Sequence, residues 1–241
     1  MKKFLIAAAL FFAAFAPGAH AADMPELPQI IRAPQMPWVE FGSNWYLRGD
    51  FSYRQYDSPS VTDGTQALTN TSLKDAAAFG LGVGYKFNDW LRGDITYDYA
   101  FKSTFRGNNT CADPCGGPGL GGITNDTTNL RSMTLLVNGY VDMGTWWGIT
   151  PYVGAGVGAA YLSTGGYQTT TPLNVVTAFP GGSVWNFAWN ATAGAAYHVS
   201  PNLSFDFNYR YLDLGGFQAN PYSSDNITAH EFRVGFRYLI D

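Results

Sequence analysis

Thirteen charged side chains fall at alternate positions of stretches otherwise rich in aromatic and aliphatic residues. They are Arg48, Asp50, Arg54, Lys86, Arg92, Asp94, Asp98, Asp142, Asp206, Arg210, Glu231, Arg233 and Arg237. Seven cations and six acids in such positions suit one of two kinds of chemistry: a mutually ion-paired interior, or a polar path for ions. An unpaired charge removed from water costs several kcal/mol, so in a narrow space these groups must pair. Cys111 and Cys115 form a second constellation. In an oxidising compartment they are expected to form a disulfide that braces a loop. Their spacing is not that of a redox Cys-x-x-Cys, and no histidine cluster completes a metal site.

Other motifs carry less. His198-Val199-Ser200 has the His-x-Ser spacing of a barrel deacylase, but no acid is placed to orient the imidazole. Gly117-x-Gly119-x-x-Gly122 matches a dinucleotide fingerprint in letters, yet contains Pro118 and has neither the strand before nor the helix after. His230 reads as a rim residue. No nucleophile, base and orienting acid converge, so an enzyme is not expected, and no cofactor or metal is implied.

The elements that must position the charges follow from their period. In Trp45-Tyr46-Leu47-Arg48-Gly49-Asp50-Phe51-Ser52-Tyr53-Arg54 the charges share one parity and the large apolar residues the other, the signature of a strand with two different faces. Eight such stretches are expected, at about 44–56, 76–87, 90–102, 130–142, 150–162, 184–198, 203–213 and 228–240. Long connections cover 57–75, 103–129, 163–183 and 214–227, and short ones 88–89, 143–149 and 199–202. This rhythm predicts an all-β fold, an eight-stranded antiparallel transmembrane barrel of up-and-down topology.

Composition agrees. Charged residues are 13% of the chain and aromatics 16%, and residues 143–205 contain no Asp, Glu, Lys or Arg. That segment is too rich in Gly, Thr, Asn and Pro for membrane helices, whereas a barrel strand needs only every second residue to be apolar. Residues 1–21 read as a cleaved secretory leader, with Lys2 and Lys3, an apolar run from Phe4 to Ala16, and Ala19-His20-Ala21 as the cleavage site. Its removal takes two lysines and no acid, shifting the formal charge from −4 to −6, a balance that opposes nucleic-acid binding. Residues 22–43, marked by Pro25, Pro28, Pro34 and Pro37, read as a periplasmic lead-in, and 44–241 as the barrel. Outer-membrane barrels keep short turns in the periplasm, which puts both termini there. Two aromatic girdles then emerge. Trp45, Phe87, Trp90, Trp146, Trp147, Tyr197, Phe205 and Tyr238 lie near one interface; Tyr53, Phe79, Tyr99, Tyr161, Trp185, Tyr211 and Phe232 lie near the other.

At this point the chain resembles the small outer-membrane β-barrel proteins of alphaproteobacteria, the opacity-type surface antigens related to the membrane domain of outer membrane protein A. The likeness is carried by Trp45–Asp50, Leu136–Asp142, Pro151–Gly156, Tyr209-Arg210-Tyr211 and His230–Tyr238. Members usually end on an aromatic residue, where this chain ends Leu239-Ile240-Asp241. The resemblance implies residence in the outer membrane among lipid and lipopolysaccharide, and a structural, surface-exposed role. External ligands would then meet the four long loops. A narrow porin-like channel is the alternative, since small residues on strands four to six face the charged wall of the others and leave room either for a wet crevice or for the arginines. A soluble ligand-holding barrel is the third reading, opposed by the low charge content and the paired girdles.

Overall fold

The computed structural model describes residues 44–63, 66–111, 121–219 and 222–240. The expected leader and lead-in lie outside these residues, as do Cys115, Gly117 and Gly119. Strands account for most of the described chain: β1 (Trp45–Tyr56), β2 (Val61–Asp63), β3 (Gln66–Ala67), β4 (Thr69–Leu73), β5 (Ala76–Lys86), β6 (Leu91–Cys111), β7 (Gly122–Asp142) and β8 (Ile149–Thr164). They continue as β9 (Tyr167–Thr170), β10 (Val176–Phe179), β11 (Ser183–His198), β12 (Leu203–Asp213), β13 (Phe217–Ala219), β14 (Tyr222–Ser224) and β15 (Thr228–Ile240).

Eight of these close into a ring. The order β7-β8-β11-β12-β15-β1-β5-β6 is antiparallel throughout, and the pairing of β6 with β7 completes it. The first and last staves meet in unbroken register, from Trp45 opposite Ile240 to Tyr56 opposite Ala229. Closure leaves no free edge in the wall, the condition for strands to span lipid. Burial alternates along each stave. In β1, Trp45, Leu47, Phe51 and Tyr53 are exposed while Tyr46, Arg48, Asp50, Ser52 and Arg54 are buried. The large exposed apolar residues therefore face outward all around the ring.

The long connections are more ordered than their composition suggests. β6 and β7 are 21 residues each, about 70 Å of chain at a strand's rise, far beyond the nine to eleven residues a membrane crossing needs. Their outer halves form a hairpin that stands above the barrel and occupies most of the expected 103–129 loop. It is stitched by cross-strand side-chain bonds, Thr104 to Asn129 at 3.2 Å and Asn108 to Asn125 at 2.9 Å. β4 adds to β6 on one side, and the hairpin β9–β10 adds to β7 on the other. β13, β14, β2 and β3 form a separate small sheet. The 57–75, 163–183 and 214–227 connections thus carry strands as well.

Candidate functional site

The interior of the barrel is filled in three layers. In the middle, four arginines and four carboxylates form one connected, formally neutral network. Glu231 accepts from Arg54 at 2.5 Å, from Arg210 at 2.5 Å and from Arg233 at 3.3 Å. Asp98 joins Arg210 and Arg233, each at 2.9 Å. Asp50 bridges Arg233 at 3.1 Å to Arg48 at 2.8 Å, and Arg48 reaches Asp94 at 2.8 Å. Neutral partners add to it: Asn138 donates to Asp94, Thr134 donates to Asp98, and Ser132 accepts from Arg54, while the Nη2 atoms of Arg54 and Arg210 are buried without a hydrogen-bond partner among the described residues. Glycines on both the charged wall and the wall facing it make room. A Cβ on Gly80 would collide with the Asp98 carboxylate, and one on Gly156 with the amides of Asn138 and Asn190. The void left within the network is about 10 Å³, barely enough for one water.

Toward the short-turn end lies a layer of tyrosines and arginine. The Arg92 guanidinium sits 4.1 Å from the Tyr140 ring centre and 4.4 Å from that of Tyr152, while its Nε bonds Asp142 at 3.0 Å. Arg237 lies over Tyr46 and pairs with Asp206 at 3.6 Å. Cation–π contact with both rings and the Asp142 carboxylate hold Arg92 in place, while its Nη2 is buried without a hydrogen-bond partner among the described residues. Lys86 departs from the expected interior set. It reaches out to Asp89 in the tight turn at 3.1 Å, being the last residue of its strand. The interior therefore holds six arginines and six acids, with Lys86 at its mouth. A cavity of about 120 Å³ opens at this end, lined in part by Lys86, Arg92, His198 and Arg237.

The third layer is apolar and lies toward the long-loop end. Leu130, Leu136, Leu162, Leu212 and Leu214 are buried with Tyr56, Phe105, Phe217 and Ile227. Above them, an apolar cavity of about 80 Å³ sits between the barrel and the loop strands, bounded by Val61, Leu73, Tyr167, Phe179 and Pro180 among others. The three voids share no lining residue. Leu212→Ala, at a fully buried position of this layer, is expected to cost about 2–5 kcal/mol, read from urea unfolding of the refolded barrel.

The remaining sequence candidates separate. His198 bonds Thr150 through Nε2 at 2.9 Å and Ser204 through Nδ1 at 2.8 Å, while Ser200 accepts from the Leu203 amide in the turn. The two members of His198-x-Ser200 thus have different partners, and His198 ties three strands together at the short-turn end. His230 lies at the long-loop end, against Tyr209 and 3.7 Å from Asp57. Cys111 ends β6. Sequence reading missed Tyr46, Tyr140 and Tyr152, although each has the inward parity of its stave, and it missed the apolar layer altogether.

A closed eight-stranded ring with an apolar outward band and a filled polar interior defines a transmembrane barrel. The family described as outer membrane protein beta-barrel domain matches residues 6–238, and the chain belongs to it; it is an outer-membrane protein. An uncharacterized protein of Brucella abortus (strain 2308) is 33% identical over 231 residues, 86% of this chain and 80% of that one. The outer membrane protein PagN of Salmonella typhimurium is 31% identical over 184 residues, 73% of this chain and 74% of its own. Among solved structures, Neisserial surface protein A has the same fold, with a TM-score of 0.50 at 15% identity, covering 81% of this chain and 97% of that one.

Proposed function

We propose that this protein is a closed barrel that serves the envelope structurally and makes contact with the environment at its long-loop end. The observation that carries the reading is the layered filling of the lumen. A hydrated ion would have to part Arg92 from its tyrosines, then a neutral ion-pair network, then a leucine layer. Each layer is of a kind that resists water for a different reason, so loosening one leaves the others. In this reading residues 1–21 are removed on export, 22–43 and both termini are periplasmic, and the hairpin and small sheet face outward. A Cys111–Cys115 disulfide would close the hairpin tip; that no described cysteine is a free thiol supports it.

Two measurements test this. The refolded mature chain in planar bilayers is expected to give no discrete current steps, and Arg48→Ala and Arg233→Ala to stay silent. Steps from the unmodified chain would restore the channel reading. Orientation is tested by Thr177→Cys on β10, whose four residues are all exposed. A membrane-impermeant maleimide is expected to label it on intact cells, and labelling only after the outer membrane is opened would invert the topology.

A further inference from the structure

The fourteen lysines and arginines of the chain are distributed unevenly. Lys2, Lys3 and Arg32 precede the barrel, and seven more lie in its interior or at its short-turn mouth. The other four are Lys74, Lys102, Arg106 and Arg131, all exposed. Strand register brings these four to one sector of the wall. At Ala100–Ser103 the register shifts, so that Phe101 and Lys102 together oppose Arg131 and all three project outward. One rung higher, the Lys74 amide bonds the Thr104 carbonyl at 3.0 Å, placing Lys74 beside Thr104 and Asn129. One rung higher again, Arg106 lies opposite Ser72 on one neighbour and Thr127 on the other.

Three successive outward rungs of β6, β7 and the chain at and just after β4 thus hold all four cations. Directly below lies the aromatic girdle, where Phe79, Tyr99 and Phe101 pack ring to ring at 5.6–5.9 Å. None of the four has a carboxylate within ion-pair distance among the described residues. The nearby Asp75 is engaged by the Tyr53 hydroxyl at 2.8 Å, and Asp126 is buried on the opposite face of β7. Aromatic rings mark the depth at which hydrocarbon gives way to headgroups. Cations immediately above them stand at the level of lipid phosphates, where each Lys or Arg adds attraction. Thr104, Asn129, Ser72 and Thr127, interleaved with the cations, supply hydroxyl and amide groups suited to sugar.

We propose that this outward face binds the phosphorylated sugar headgroup of an outer-leaflet glycolipid, of the kind that anchors lipopolysaccharide. Lys74, Lys102, Arg106 and Arg131 take its phosphates, and the aromatic girdle below takes the start of its acyl chains. The assignment rests on the orientation proposed above, since only the outer leaflet presents such headgroups.

The test uses the full mature chain, folded in neutral detergent, with bis-phosphorylated lipid A as the probe and native mass spectrometry as the readout. The barrel is expected to retain lipid A over its dephosphorylated form. Lys102→Gln with Arg131→Gln should weaken retention about tenfold or more, whereas Lys86→Gln, an equal type of charge loss at the other end, should leave it unchanged. Heat-dependent gel mobility confirms that each variant is folded. Equal retention by the double variant and the parent would overturn the proposal, as would an effect of Lys86→Gln as large. Displacement of lipid A by a soluble sulfated glycan at equal concentration would also overturn it, assigning the patch to an external polyanion. Because binding in micelles does not depend on topology, it fails or succeeds separately from the maleimide experiment.

Discussion

Glu231→Gln is expected to be the most damaging single change in the barrel, destabilising it by about 3–5 kcal/mol. The carboxylate is fully buried and receives three guanidinium groups, from Arg54, Arg210 and Arg233. Arg210 retains Asp98, and Arg233 retains Asp98 and Asp50. Arg54 keeps the Ser132 hydroxyl and the face of the Tyr56 ring but no ion pair among the described residues, and the interior gains a net positive charge. Restoring neutrality should therefore recover part of the loss, so Glu231→Gln with Arg54→Met is expected to be more stable than Glu231→Gln alone. Urea titration followed by gel mobility reads both. A loss under about 1 kcal/mol, the range of exposed ion pairs, would mean that water reaches the network and that the lumen is less tightly filled than described.

A second large effect is expected at Gly158. A Cβ there would meet the Leu135 carbonyl and the Leu136 Cα, which are backbone atoms and cannot swing aside. Gly158→Val should cost at least about 3 kcal/mol, the upper part of the usual overpacking range, and leave most of the protein without the compact gel form. Gly139, three residue pairs away on the same β7–β8 ladder, has nothing within 4 Å of such an atom, and Gly139→Ala is expected to fold like the parent. Equal behaviour of the two would show that β7 and β8 can separate locally to admit a side chain.

Much of the wall is legible in the residues themselves. The expected strand 203–213 is found as Leu203–Asp213, and 228–240 as Thr228–Ile240, because lipid on one side and charge on the other impose a strict period of two. Legibility ends where that contrast reverses. Above the girdle the outside of the barrel is wet and the inside dry, so Arg106 and Arg131 face out while Phe105 and Leu130 are buried. The extra residue at Ala100–Ser103 also switches parity within one strand: Phe101 points out and Phe105 in. A reading that equates apolar with outward has no means of following either change, and Thr, Asn and Gly in the hairpin then look like loop. The inward tyrosines were hidden for a related reason. Tyr140 and Tyr152 belong to staves whose inward positions are mostly small or polar, and an aromatic there reads as another membrane-facing ring.

The pairing of the first stave with the last has a bearing on assembly. Arg54 on β1 lies 177 positions before its carboxylate on β15, and Arg233 on β15 shares the Asp50 carboxylate of β1 with Arg48. A chain entering the membrane from its N-terminal end carries Arg54 with its acid still to come. The charge is matched only when β15 docks, and the same docking completes the hydrogen-bonded ring. Sealing the wall and neutralising its contents are one event. A half-made barrel is penalised twice, by an open edge in lipid and by a stranded guanidinium, which favours a population of complete barrels over partly built ones.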